Sequence, residues 1–305
     1  MTRQTPPKRP APPLTQSTSP AAETPRPRKF PLTIDQLHAP PAGTASPRQP
    51  ARRDVLRPQQ PLSHAHEVTQ RATPPSGLGL DSVQVRRRMV ERLCAQGLED
   101  RRVIEALLAV PRHLFVDSAL VNQAYEDTSL PIGWAQTISK PSVVARMIEL
   151  LCRRPLVRGP VAKPLGRVLE IGSGCGYQAA VLSCLAQGVY SIERLRPLHE
   201  RARANLGAMR DVMRAHADVR LIFGDGHLGH APNAPYDCII AAAGAPQLPT
   251  AWLDQLAPGG RLVAPVEDAD SGQQVLLVVD RSPAGELVYN QHEAVQFVPL
   301  KSGTH

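Results

Sequence analysis

Twenty-six residues, 168–193 (VLEIGSGCGYQAAVLSCLAQGVYSIE), constrain this chain more than any others. An apolar run, Val168, Leu169 and Ile171, reads as a buried strand. It enters a glycine-rich turn, Gly172-Ser173-Gly174-Cys175-Gly176, and then a helical pattern over 177–186. A second strand at 189–192 ends on an acid, Glu193. This order makes a βαβ nucleotide-binding unit. The glycines let backbone approach a ligand closely, and the acid at the strand tip can accept both hydroxyls of a ribose.

The glycine spacing narrows the ligand. A dinucleotide fingerprint reads G-x-G-x-x-G, with a pyrophosphate on the helix N-terminus. Here Gly172, Gly174 and Gly176 make G-x-G-x-G, which disfavours a nicotinamide-dependent oxidoreductase. With Glu170 before it and Glu193 after it, the pattern resembles the S-adenosylmethionine site of Rossmann-like methyltransferases. The same glycines would also serve an ordinary βα turn, so the rest of the chain decides. A helical stretch follows at 196–210, then a third strand at 219–223 ending in Gly224-Asp225-Gly226. Asp225 suits an adenine exocyclic amine, because a carboxylate accepts its N–H while the glycines let the ring lie close; it also fits a tight turn. A fourth strand at 237–242, a short helix at 249–256 and a turn at Pro258-Gly259-Gly260 come next. Strands at 261–266, 275–279 and 293–298 complete the pattern. Alternating β and α elements predict an α/β fold, a mainly parallel seven-stranded sheet with helices on both faces, and the resemblance at the glycines implies that it is the Rossmann-like methyltransferase fold.

Composition divides the chain at about residue 80. The first 80 residues hold 17 of the 32 prolines and 11 Lys/Arg against four Asp/Glu, and have one Phe but no Trp or Tyr. Such a segment buries too little surface to offset its ordering entropy, and is expected to be a disordered basic tail. Its charge admits nucleic acid, acidic lipid or an acidic protein as a partner, or none. The remaining 225 residues, 81–305, carry a net charge of only +1 and are expected to form the methyltransferase domain. No secretory h-region and no run of 18 apolar residues is present, so neither export nor a membrane span is expected. Five cysteines without a CxxC pair read as buried thiols in a reducing compartment, the cytoplasm, and no Cys/His cluster has metal spacing.

Ahead of the nucleotide unit, residues 83–95 and 101–110 have apolar residues at helical spacing. Residues 125–141 are dense in turn formers and give way to a helix from Pro141 or Ser142 to Leu151. A polar loop ending at a helix N-terminus beside a cofactor fold is the place for a substrate or specificity loop. Over residues 83–300 the chain resembles the protein-L-isoaspartate O-methyltransferase family. The resemblance rests on Pro111-Arg112 with Phe115-Val116, Tyr125-x-Asp127, Leu130-Pro131-Ile132-Gly133, Gln136-Thr137-Ile138-Ser139, VLEIGSGCGYQ, Gly224-Asp225-Gly226, Pro258-Gly259-Gly260 and Phe297-Val298-Pro299-Leu300. LPIG-x-x-QTIS is the specific part, since general methyltransferases lack it. Two departures, Trp134-Ala135 before Gln136 and Lys140 after the serine, bear on peptide preference rather than on chemistry.

The resemblance implies transfer of a methyl group from S-adenosylmethionine to the α-carboxylate of L-isoaspartyl residues in damaged proteins. It places Gly172, Ser173 and Gly174 at the methionine moiety, Glu193 at the ribose and Asp225 with Gly226 at the adenine. Thr137 and Ile138 would line the same cofactor edge, and Val298 to Leu300 would close over the peptide. The acceptor carboxylate is ionised at pH 7 and needs no general base. It needs a donor that orients it without cancelling its charge. Ser139 is the candidate; it also fits the N-cap of the next helix. Asp127 either contacts substrate or caps a turn. The enzyme is expected to be a metal-free monomer. An exocyclic-amine nucleic-acid methylase would carry an Asn/Asp-Pro-Pro-aromatic stretch where this chain has AAAGAP. A cofactor-binding module acting through the basic tail is the alternative, and deletion of residues 1–80 separates it from an enzyme.

Overall fold

The computed structural model describes residues 83–155, 163–209 and 216–305; the expected 1–80 tail and the proposed boundary at 81 lie outside them. Two helices, α1 (Val83–Ala95) and α2 (Arg101–Ala109), precede a hairpin of β1 (Leu130–Gly133) and β2 (Gln136–Ile138). Then come α3 (Pro141–Cys152), β3 (Arg167–Ile171), α4 (Tyr177–Leu185), β4 (Gly188–Glu193), α5 (Arg196–Ala208) and β5 (Val219–Phe223). The chain continues through β6 (Tyr236–Ala241), α6 (Thr250–Asp254), β7 (Leu256–Glu267), β8 (Gln274–Arg281) and β9 (Leu287–Ala294).

The seven-stranded sheet has the order β5-β4-β3-β6-β7-β8-β9. Neighbours from β5 to β7 in this order pair in parallel, while β8 pairs antiparallel with both β7 and β9. From β3 the chain winds outward through β4 and β5, then returns to β6 on the other side. The strand order therefore reverses between β3 and β6, where an open α/β sheet leaves its ligand crevice. Side chains alternate along β3. Val168 joins the face packed by α2, α3 and α4, with Val103, Ile148 and Val181; Leu169 and Ile171 join the other, with Trp252, Tyr236 and Leu256. Burial on both faces is why these strands read as continuous apolar runs, each large aliphatic side chain contributing about 1.5–3 kcal/mol. The second face carries the five-residue α6 where long helices cover the first.

Buried and half-buried polar groups fasten the helices to this frame. Glu149, 1% exposed on α3, accepts from the backbone N–H of Glu99 and Asp100 at 2.9 and 3.0 Å and so pins the α1–α2 connection. Arg261 on β7 holds Asp280 on β8 through two 2.7 Å bonds and donates to the Leu150 carbonyl of α3. All five cysteines are free. Among the described residues no helix is long and apolar enough to cross a membrane.

Three elements differ from the sequence expectation. Pro258-Gly259-Gly260, expected as a turn, lies within β7 (Leu256–Glu267). The last strand is β9, residues Leu287–Ala294, not 293–298. A tight turn, with Ser282 N–H donating to the Glu286 carbonyl, sends the chain straight back along β8. β9 is a mostly exposed edge strand, so it shows no apolar alternation to find. The 125–141 loop contains the β1–β2 hairpin. Its two connecting residues, Trp134 and Ala135, have φ of 51° and 55°, the conformation that usually announces itself by Asn-Gly or Gly-Gly.

Candidate active site

The crevice at the strand reversal is a solvent-open cleft of about 870 Å³. Its floor is the loop after β3. Gly172, Gly174 and Gly176 have φ of 91°, 54° and 90°, so three left-handed turns are made without a Cβ penalty. The amide N–H of Gly174 donates to Glu193 Oε2 at 2.9 Å, and Leu195 N–H donates to Oε1 at 2.9 Å. The acid at the tip of β4 thus shapes the cradle and still holds two of its about four acceptor sites for a ligand. Beneath the loop lies a buried polar chain. Ser191 Oγ donates to Glu170, and Ser173 Oγ lies 2.6 Å from Ser191 Oγ. Burial, opposed by Ser191 and Gln178, pushes the Glu170 carboxyl up to about 8, so it is neutral at pH 7.

The opposite wall is the hairpin, and α5 supports both sides. Arg201 donates to the Ile132 carbonyl at 2.8 Å, and Asn205 donates to the Cys175 carbonyl at 2.9 Å. Arg112, fully buried, donates from Nε to the Ala124 carbonyl at 2.8 Å and lies 4.9 Å from the Tyr177 ring centre. It thereby packs the segment before the hairpin against the start of α4, which gives the Pro111-Arg112 pair its structural purpose. The chain after β9 seals the third side. Gly244 N–H donates to the Val298 carbonyl, Leu300 N–H to the Gly244 carbonyl, and Gly303 N–H to Asp225 Oδ2, at 2.7–2.8 Å.

Ten of the twelve site residues read from the sequence line this cleft: Thr137, Ile138, Ser139, Gly172, Ser173, Gly174, Glu193, Gly226, Val298 and Leu300. Asp127 and Asp225 are not among the lining residues. Asp225 accepts from His227 N–H and Gly303 N–H. Its burial raises the carboxyl pKa, but those bonds outweigh it and hold it below the usual carboxylate range. Asp127 accepts from Ser142 N–H at 2.9 Å. It supplies the helix-end bond that Ser139 was a candidate for, since the N-cap position of α3 is Lys140 and its side chain makes no cap. Ser139 is half-buried, and among the described residues its hydroxyl has no partner. Thr137, Ser139, Ala242 and Val298 also line a second groove, which runs outward past Phe297 and Lys140.

Sequence reading gave no site role to Ile132, Ala242 and Lys301, which are among the other residues that line the cleft. Ile132 lies inside a quoted motif. Ala242 had no signal, because only the strand reversal brings the end of β6 beside the cradle.

The cradle fits a nucleoside. A Cβ on Gly226 would lie 2.6 Å from Ile171 Cγ2, so this edge stays free of side chain only because it is glycine. A glycine cradle at the strand reversal, an acid at the next strand tip and a seven-stranded sheet of this order define an S-adenosylmethionine-dependent methyltransferase. Residues 84–305 match the protein-L-isoaspartate(D-aspartate) O-methyltransferase family. The chain belongs to that family. It is 59% identical over 285 residues to a Methylibium petroleiphilum protein-L-isoaspartate O-methyltransferase, covering 93% of this chain and 99% of that one. A Leptothrix cholodnii protein of the same name is 62% identical over 248 residues, 81% of this chain and 84% of the relative. A solved protein-L-isoaspartate O-methyltransferase aligns with TM-score 0.60 and 29% identity over 71% of this chain and 66% of that chain. A Plasmodium falciparum structure with S-adenosyl-L-homocysteine shares the fold, at TM-score 0.60 and 24% identity over 71% of this chain and 98% of that one.

Proposed function

We propose that this protein methylates the α-carboxylate of L-isoaspartyl residues in damaged proteins and peptides, using S-adenosylmethionine. The ester then closes to a succinimide, because a methoxide leaves more readily than an oxide, and ring hydrolysis returns some aspartate. Membership of the family supports the reaction, and the names of the relatives at 59 and 62% identity supply the substrate. The observation that carries the reading is the position of Ser139 and Thr137, on the border shared by the cradle cleft and the outer groove.

S-adenosylmethionine, when bound, supplies an electrophilic methyl group on a sulfonium. The acceptor carboxylate is already ionised at neutral pH, so no residue has to take a proton from it. What remains is orientation and exclusion of water. The partner-free Ser139 hydroxyl donates to the carboxylate and fixes its angle while leaving its charge intact. Thr137 and Ile138 wall the cofactor side. Gly172, Ser173 and Gly174 take the methionine moiety, and the two open acceptor sites of Glu193 take the ribose hydroxyls. Gly226 and the lone pairs left on Asp225 take the adenine. Asp127 holds the substrate loop to α3, and Val298 and Leu300 close over the peptide.

Turnover is assigned to residues 81–305, acting as a cytoplasmic, metal-free monomer, with residues 1–80 dispensable for it and nucleic acid reached only through that basic segment. The test uses purified protein, methyl-labelled S-adenosylmethionine and two peptides differing only in L-isoaspartyl against L-aspartyl. Base-labile label on the isoaspartyl peptide alone is expected; label on neither peptide, with cofactor bound, would sink the reading. Ser139→Ala is expected to lower kcat by roughly 100- to 1000-fold while cofactor affinity stays within about twofold, as for loss of one oriented donor.

A further inference from the structure

Beyond the reaction itself, we propose that Lys140 selects substrates by charge, favouring peptides with an acidic side chain next to the isoaspartyl residue. This rests on the outer groove being the peptide seat. Among the described residues lining that groove, Lys140 carries the only charge; the others are small, apolar or neutral polar, such as Ser129, Gln296 and Phe297. Lys140 follows Ser139 directly, so the charge stands beside the acceptor position rather than on it. An ammonium in contact with the reacting oxygen would hold it as an ion pair and blunt its attack. One residue further along, the same charge can pair with a neighbouring side chain instead.

The fold gives Lys140 no other employment. It is exposed, and no described carboxylate lies within salt-bridge distance of it. It occupies the N-cap position of the 12-residue α3, where the helix dipole repels a cation, and its side chain makes no capping bond. The nearby Asp127 spends Oδ1 on Ser142 N–H. A cation kept at a helix N-terminus without a partner, in the wall of an otherwise uncharged groove, is complementary to an anionic ligand that arrives from outside.

The test measures kcat/KM for isoaspartyl peptides with Glu or Gln immediately before or after the isoaspartyl residue, on the full-length protein and its Lys140→Gln and Lys140→Glu variants. The wild type is expected to prefer Glu by about two- to fivefold, the range of an exposed ion pair, through KM rather than kcat. The preference should fall to about one in Lys140→Gln, invert in Lys140→Glu, and shrink between low salt and about 0.3 M salt. A ratio that is the same in all three proteins overturns the proposal. Ala294→Trp, placed on an exposed wall of the groove, tests the underlying seat separately. It should raise KM for every peptide, and if it does not, the groove is not the seat whatever Lys140 does.

Discussion

The two walls of the active cleft turn the chain by opposite means. At the cradle the backbone bends on Gly172, Gly174 and Gly176, which have no Cβ to clash. Across the cleft the hairpin bends on Trp134 and Ala135, both held in the left-handed region at a cost of about 1–2 kcal/mol per residue. The cradle is specified within 26 contiguous residues, and its key bond, Gly174 to Glu193, spans only 19. The hairpin is held from further away, by Arg201 on the Ile132 carbonyl, 69 residues along the chain. A local device stays in register when the surroundings shift. A hairpin that stores strain and is pinned from outside can be retuned by a single distant contact, which suits the wall that meets varied substrates.

The sharpest way to break this contrast is Glu193→Ala. It removes the proposed acceptor for the ribose and the bond that shapes the loop, so S-adenosylmethionine affinity should fall about 100-fold, equivalent to ~2.7 kcal/mol. Titration of the cofactor by calorimetry reads this directly; a change under fivefold would mean that the cradle holds its form without the acid.

Glu170→Gln probes the cradle's foundation through pH. In the folded chain Glu170 keeps its proton up to about 8, whereas 4.5 is its ordinary value. Between those values the folded state binds more protons than the unfolded state, so stability falls as pH rises through that window and levels off above it. The glutamine variant lacks this slope. Urea midpoints at pH 5 and 8.5 should show the wild type losing about 2–4 kcal/mol more than the variant. Parallel pH curves would mean that Glu170 ionises normally despite its burial.

On the hairpin side the effects are smaller. Asp127→Ala should destabilise the fold by about 1 kcal/mol, the usual worth of a helix-end acceptor, and raise peptide KM more than cofactor Kd. Equal rises would place Asp127 with the cradle instead. Ala135→Gly should stabilise by up to about 1 kcal/mol, since glycine occupies positive φ without strain. A gain in Tm accompanied by weaker substrate discrimination would identify the strain as functional; a gain with unchanged kinetics would make it incidental.

How much of this was legible follows the same division. Apolar runs on β3, β4 and β6 announce buried parallel strands, and Gly172 to Glu193 announce the nucleotide unit, because those signals depend on neighbours in the chain. β9 was misplaced because an exposed edge strand owes its existence to pairing with β8 rather than to its own pattern. The hairpin was read as a loop because Trp134 and Ala135 give no turn signal. The role of Ser139 stayed double until Asp127, twelve residues upstream, was seen at the helix end.

By itself, the sequence determined the class of fold, the cofactor cradle and the family, since each is written in contiguous motifs whose geometry is set by local backbone freedom and side-chain periodicity. Only the tertiary structure decided which groups are free to act. It spends Asp127 on the Ser142 N–H, leaves the Ser139 hydroxyl without a partner, buries Glu170 as a neutral acid and brings Ala242 beside the cradle. Availability of this kind depends on which distant backbone donors and apolar surfaces arrive next to a side chain, and no local pattern encodes that.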